Sequence, residues 1–211
     1  PEQAGIASGF EAEWRDWYAH FPWEDHRAGR PAILQQEIEP QLMTWAAGSP
    51  ERTQRSRLVF GMDGETWADE RVLERYELLY EAGLVAECAR DAGLPSDVDD
   101  VGLPMVSDHR RILATAMGRL RGKLRYRPVI FELMPSVFTL SALQKTVEAI
   151  LGRRLHKQNF RRSLERTDLV EGTGRTESAT GGRPAELFRV KQGTDPSRSG
   201  RGLATPPIKA D

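Results

Sequence analysis

Between Phe138 and Lys191 three unlike segments follow one another closely, and few folds accept that order. The first, FTLSALQKTVEAILG, repeats apolar residues at Leu143, Val147, Ile150 and Leu151, the spacing of one helical face. Ser141 with Gln144 three residues later reads as a capping box, and Gly152 stands where a helix stop is expected. The second, RRLHKQNFRRSLERTDLVEGTG, puts Phe160 and Leu164 on one side of another helix and Lys157, Gln158, Asn159, Arg161 and Arg162 elsewhere. Leu169-Val170, a loop rich in Gly, Thr and Ser, and Ala185 to Val190 then read as a β-hairpin. A capped helix, a basic helix and a hairpin in this order predict a winged helix-turn-helix.

Arg, Asn and Gln side chains on the second helix suit a DNA major groove, where they pair bidentately with guanine and adenine edges. The residues expected to face DNA are Ser141, Lys145, Arg153, Arg154, His156, Lys157, Gln158, Asn159, Arg161 and Arg162, with Arg175 and Arg183 on the hairpin. Gln158 and Asn159 are expected nearest the bases. The Gly181-Gly182-Arg183-Pro184 turn has the slim shape that carries an arginine into a minor groove. The bland alternatives are a solvated basic face and a turn with Arg183 in water. An RNA-binding adaptor would need exposed stacking aromatics, whereas Phe160 and Phe188 read as core.

Charge is split along the chain. Residues 1–106 hold 9 Arg and no Lys against 21 Asp and Glu, while the remainder holds 21 Lys and Arg against 10 acids. The overall −1 thus conceals an acidic half and a basic half, and only the latter can meet a polyanion. Attraction between the halves is the competing explanation, but it does not account for the clustering of basic residues in one helix and hairpin. Cys88 is the only cysteine, so an intrachain disulfide is excluded and a reducing, cytoplasmic setting is expected; its neighbours Leu84 and Val85 make it a core residue. No apolar run approaches the about 18 residues that a membrane span needs. A chain beginning at Pro1 rather than Met is read as a fragment or trimmed product.

The sequence predicts a mainly α protein with one small β-hairpin. Residues 1–125 form a helical sensor and dimerisation region, 126–191 the winged helix, and 192–211 a flexible tail without apolar period. In the first region Trp14, Trp17, Tyr18 and Phe21 fall at helical spacing, as a core face or a partner surface. Ile33, Leu34, Ile38, Leu42 and Trp45 share a face of a helix over 31–47, with Pro40 expected to kink or break it. Ser49 to Arg57 reads as a polar loop. Trp67 to Asp91 reads as helix with a stop or bend at Gly83, and GLPSDVDDVGLP as a linker. A helix from Asp108 to Leu124 carries Ile112, Ala116, Leu120 and Leu124, a face fit for a dimer contact or interdomain strut. Val129 to Met134 is a short apolar connector ending at Pro135.

Signals for catalysis are weak. The four histidines have no metal-site spacing, no second cysteine is available, and no phosphate-cradling Gly-rich loop follows a strand. GETWADERVLERYELLYEAGL is similar to the Nudix box, whose clustered glutamates hold the metals for pyrophosphate hydrolysis. Anchored on Gly83-Leu84 it supplies Glu77, Leu78 and Glu81. It has Tyr80 for a glutamate, Tyr76 for the arginine, Ala68 for the first Glu and Met62 for the first Gly. Half the carboxylates are missing, and no catalytic or metal residue is assigned.

DHRRILATAMGRLRGKLRYRPVIFELMPSVFTLSALQ, GRRLHKQNFRRSLE and GGRPAELFRV resemble the junction helix, recognition helix and wing of the Nudix-related transcriptional regulators of NAD metabolism. The resemblance covers roughly Ser107 to Lys191. WRDWYAHFPWEDHRAGRPAI and DERVLERYELLYEAGLVAE are more similar to the NadQ type of NAD-biosynthesis repressor. The resemblance implies a homodimer that binds operator DNA near NAD-synthesis or salvage genes. It further implies release by a nucleotide effector such as ADP-ribose, NAD or ATP, sensed by a catalytically degenerate Nudix-like α/β domain. No clear series of Nudix strands is visible here, so residues 1–125 would be at most a remnant of that domain. The alternative reading is a Nudix-type nucleotide diphosphate hydrolase with a basic C-terminal appendage.

Overall fold

The computed structural model describes residues 14–95, 101–177 and 184–191. By contact density the chain divides after Leu120 into an N-terminal helical unit and a C-terminal unit. The helix α5, His109–Tyr126, runs through that boundary.

The aromatic stretch at the start is not the helix its spacing predicts. It makes two 3-10 turns, Trp17–Ala19 and Pro22–Glu24, because Pro22 has no N–H to continue a helix past Phe21. Asp16 caps the first turn by accepting from the Tyr18 N–H. Tyr18, Phe21 and Trp23 are buried, whereas Trp14 is 64% exposed. The next helix contains Pro40 without breaking. A π-helical segment, Leu34–Ile38, precedes α1, Glu39–Ala46, and the Glu39 N–H bonds to Leu34 O, five residues back. That wider turn takes up the lost proline donor, and Leu34, Ile38 and Leu42 remain on the buried face.

Ser49 to Arg57, read above as a loop, belongs to helix α2, Pro50–Phe60. Its polar composition conceals a good start signal: Ser49 accepts from the Arg52 N–H, and Pro50 occupies the first helical position, where no donor is needed. Helices α3, Val72–Glu81, and α4, Ala86–Asp91, follow on either side of Gly83. Among the described residues this unit holds one isolated bridge, Arg27 to Gly29, and no sheet. The α/β remnant allowed by the resemblance has no counterpart there.

Two arginines sit inside this unit. Arg75 donates to both carboxylate oxygens of Glu24, to Val59 O at 3.2 Å and to Ala68 O at 3.0 Å, and lies 3.9 Å from the Trp67 ring. Arg110 donates to Glu87 at 3.1 Å and to the carbonyls of His20 and Val101, among Phe21, Trp23 and Tyr76. Burial of a guanidinium is tolerated only when its fork of donors is filled this way.

These arginines also correct the reading of α5. The buried positions are Arg110, Ala114, Met117, Gly118, Arg121 and Leu124, whereas Ile112 is 56% exposed and Ala116 is exposed. The apolar stripe of the sequence lies partly on the outer side, because two of the inward positions are arginine. The connector after α5 is a 3-10 turn, Val129–Leu133. The C-terminal unit then contains β1 (Phe138–Thr139), α6 (Leu140–Leu151), α7 (Lys157–Thr167), β2 (Val170–Glu177) and β3 (Ala185–Val190). The sheet is antiparallel with order β1-β3-β2. The molecule is thus mainly helical with a three-stranded sheet. The first strand is only two residues long and gave no sequence signal.

Candidate nucleic-acid interface

α6 is positioned by the residue just before it rather than by Ser141. Thr139, extended because β1 pairs it with Leu187, turns its hydroxyl to accept from the Ala142 N–H at 3.1 Å. Strand pairing therefore sets the helix start two residues before the expected capping box. At the far end Gly152 takes φ 71°, a left-handed conformation that glycine adopts without penalty, and its N–H bonds to Glu148 O. Leu143, Val147, Ile150 and Leu151 are buried, as their spacing predicts. Arg121 of α5 donates to Ile150 O at 2.9 Å, a cation at the carbonyl end of α6.

The turn into α7 is held by side chains. Gln144 Nε2 donates to Glu148 Oε1 and to Leu155 O, both at 2.9 Å. The same Glu148 oxygen accepts from the Leu155 N–H at 2.8 Å. Gln144, expected to cap the helix start, instead closes a clip at its other end. Leu155 immediately precedes His156, the N-cap residue of α7, so the clip fixes where α7 begins.

α7 buries Phe160, Leu164 and Thr167. Lys157, Gln158, Asn159, Arg161 and Arg162 are all exposed, as are Ser141, Lys145, Arg154, His156 and Arg175. At about 100° per residue, Gln158 and Arg162 lie opposite the buried face. Arg161 and Asn159 fall on opposite flanks, about 160° apart. Lys157 and Arg161 line a groove of about 540 Å³ together with Ser141, Glu186 and Phe188. Asn159 faces away from that groove. Arg153, expected to touch DNA, is 8% exposed and engaged within the protein, so its charge is not offered at the surface. Arg183 lies outside the described residues.

The hairpin differs from the predicted loop. β2 runs through the Gly-Thr-Gly-Arg sequence as strand, with a register shift between Gly172 and Thr176. Gly172 pairs with Phe188 and Thr176 with Glu186, so Thr173, Gly174 and Arg175 stand opposite Leu187 alone. Thr173 Oγ1 donates to Leu187 O at 2.8 Å in place of a ladder bond and accepts from the Arg175 N–H at 3.2 Å. Gly174, at φ 70°, supplies the reversal that this bulge requires. Strand pairing elsewhere outweighed the turn composition. Glu186, unnoticed in the sequence, enters the site only because β3 folds back beside α7.

Neither α6 nor α7 has an acidic residue in its first turn. Their positive N-terminal ends therefore add to the nearby cations, an electrostatic setting suited to phosphate. Among the described residues no group of three or more His, Cys, Asp and Glu could hold a metal ion, and no helix is long and apolar enough to cross a membrane.

Residues 130–190 match the family model of the NrtR DNA-binding winged helix domain, which bears out the resemblance read from this stretch. The ADPR responsive transcriptional repressor NtrR of Acinetobacter baylyi is 42% identical over 87 residues, covering 41% of this chain and 34% of that protein. The chain thus spans about a third of the length of that relative. Shewanella oneidensis NrtR complexed with a 27mer DNA is 32% identical, covering 51% of this chain and 46% of that one, with a TM-score of 0.41. The same Shewanella protein in a second crystal structure is 31% identical, covering 50% of this chain and 44% of that one, with a TM-score of 0.38.

Proposed function

We propose that this chain is the DNA-binding and dimerising part of a transcriptional repressor of NAD-biosynthesis or salvage genes, released from its operator by a nucleotide. The observation that carries the reading is α7, a helix that buries Phe160 and Leu164 while exposing Lys157, Gln158, Arg161 and Arg162 beside a wing. In this reading α7 enters the major groove, with Gln158, Arg161 and Arg162 closest to base edges. Lys157, the N-terminal end of α6 and Arg175 hold phosphates, as do Lys145 and Arg154. Asn159, on the far flank, contributes less than its residue type suggests.

ADP-ribose is the first effector to test, supported by the similarity to the ADPR responsive repressor of Acinetobacter baylyi, with NAD and ATP beside it. A homodimer follows from operator geometry, since one winged helix covers too few base pairs for tight specific binding. The exposed Ile112 and Ala116 of α5 support a contact on that face. The chain acts here as a binder rather than a hydrolase. Of the α3 carboxylates that a Nudix-type site would use, Glu77 pairs with Arg111 and Glu81 with Arg55.

The test is titration of the intact protein onto its own upstream DNA and onto a scrambled duplex, across a salt series and with each nucleotide. Tight, strongly salt-dependent binding that prefers the upstream region and weakens with ADP-ribose is expected. A flat salt profile on both duplexes would sink the reading. Sedimentation of a monomer retaining full operator affinity would remove the dimer.

A further inference from the structure

We infer that Glu165 is a base-reading residue of α7 that selects cytosine in the operator. The inference rests on the proposed DNA-binding function and names a base that the interface recognises. Gln158, Arg161, Arg162 and Glu165 occupy positions i, i+3, i+4 and i+7 of one helix. That is a spacing at which a single helix reads successive bases along a major groove. At about 100° per residue the four fall within a sector of about 100°, with Glu165 about 20° from the line through Gln158. The sector points away from Phe160, Leu164 and Thr167, which α7 buries. All four side chains are exposed.

A carboxylate on a basic helix ordinarily serves that helix, and Glu165 does not. Arg161 stands one turn before it and Arg162 three residues before it, both at the spacing of a surface ion pair. Among the described residues Glu165 makes no ion pair with either. It also lies in the last turn of α7, where the carbonyl end of a helix favours a cation. A negative charge there weakens the helix slightly and opposes the phosphates that α7 approaches. Neither helix nor neighbours gain from the charge, whereas base readout does.

An ionised carboxylate only accepts hydrogen bonds. In the major groove guanine offers N7 and O6 and thymine offers O4, all acceptors that repel it, and adenine sets its N6 amine beside the N7 acceptor. Cytosine presents its N4 amine with no acceptor on the same base. Gln158 suits adenine and the two arginines suit guanine, so the row reads a mixed sequence. About 10 Å of helix separates Gln158 from Glu165, a length of about three base-pair steps. Glu165 also discriminates by rejection, since a guanine at its position meets a carboxylate where the neighbouring arginines would accept it.

The test uses the full chain as wild type, Glu165→Ala and Glu165→Gln. Each is titrated onto the upstream region carrying single base-pair changes across the stretch that the protein protects from cleavage. Replacing one C·G pair should cost the wild type about tenfold in affinity. That penalty should vanish in Glu165→Ala. Glu165→Gln should instead prefer A·T at the same pair, because an amide both donates to and accepts from adenine. Penalties at the other pairs should persist in both variants. Identical penalties in all three proteins, a uniform change on every duplex, or a lost preference at a pair other than C·G would each overturn the inference. A wild type that binds every duplex alike, scrambled DNA included, would instead remove the operator-binding reading itself.

Discussion

Replacing Glu148 by Ala should loosen the winged helix at the joint between its two helices. The carboxylate is 7% exposed, and one of its oxygens accepts from both the Leu155 N–H and the Gln144 amide. Hydrogen bonds to a charged group contribute about 1.5–3 kcal/mol each, so losing two at this partly screened site costs about 3 kcal/mol. Glu148→Gln keeps a carbonyl acceptor for Leu155 and loses only the charge, which should cost about 1 kcal/mol. All five tryptophans lie at or before Trp67, so their fluorescence reports on the N-terminal unit and misses this event. Amide hydrogen exchange sees it directly. At about 1.36 kcal/mol per tenfold, protected amides of α6 and α7 should exchange more than a hundredfold faster in the Ala variant and about fivefold faster in the Gln variant. Operator affinity should fall in the same order, because the clip sets where α7 begins. Unchanged exchange at Leu155 and along α7 in Glu148→Ala, or equal damage from Gln and Ala, would refute the reasoning.

Glu24→Ala leaves the buried Arg75 without its carboxylate and should cost about 3–5 kcal/mol in denaturant unfolding followed by tryptophan fluorescence, whereas Glu24→Leu with Arg75→Met should recover most of that loss. Burial pushes the Tyr76 phenol up to about 12 from its ordinary 10.0. Its stabilising contribution is therefore full below pH 10.0 and lost as pH rises through about 12, and Tyr76→Phe should flatten the alkaline end of a stability–pH curve. Lys157→Ala should reduce the salt slope of operator binding by about 0.9, measured by fluorescence anisotropy, whereas Arg161→Ala should relax base preference and Asn159→Ala should leave the slope unchanged.

The winged helix was legible in the sequence because its parts are local. Apolar spacing in α6 and α7, the stop at Gly152 and the exposed cations all follow from neighbours within a few turns. What escaped depends on partners distant in sequence. Thr139 caps α6 because Leu187 holds it extended, and Glu186 belongs to the site because β3 returns beside Lys157 and Arg161. Nothing local marks Arg110 and Arg121 as inward positions, since Glu87, the His20 carbonyl and the Ile150 carbonyl that receive them are distant in sequence. Helix α2 was missed for the opposite reason. Its start signal is entirely local, in Ser49 and Pro50, but its buried face of Ser56, Val59 and Phe60 is too short and polar to show a helical period.

The bulge at Thr173 to Arg175 has a consequence beyond the hairpin itself. β2 is an outer strand of eight residues, long enough to template a strand from another molecule. Thr173 and Gly174 interrupt its row of donors and acceptors midway and bend it, while Glu171, Arg175 and Glu177 place charge along it. Under the proposed function, copies gathered on one stretch of DNA would have a raised local concentration, the condition under which exposed strand edges zip together, and an interrupted, charged edge opposes that pairing.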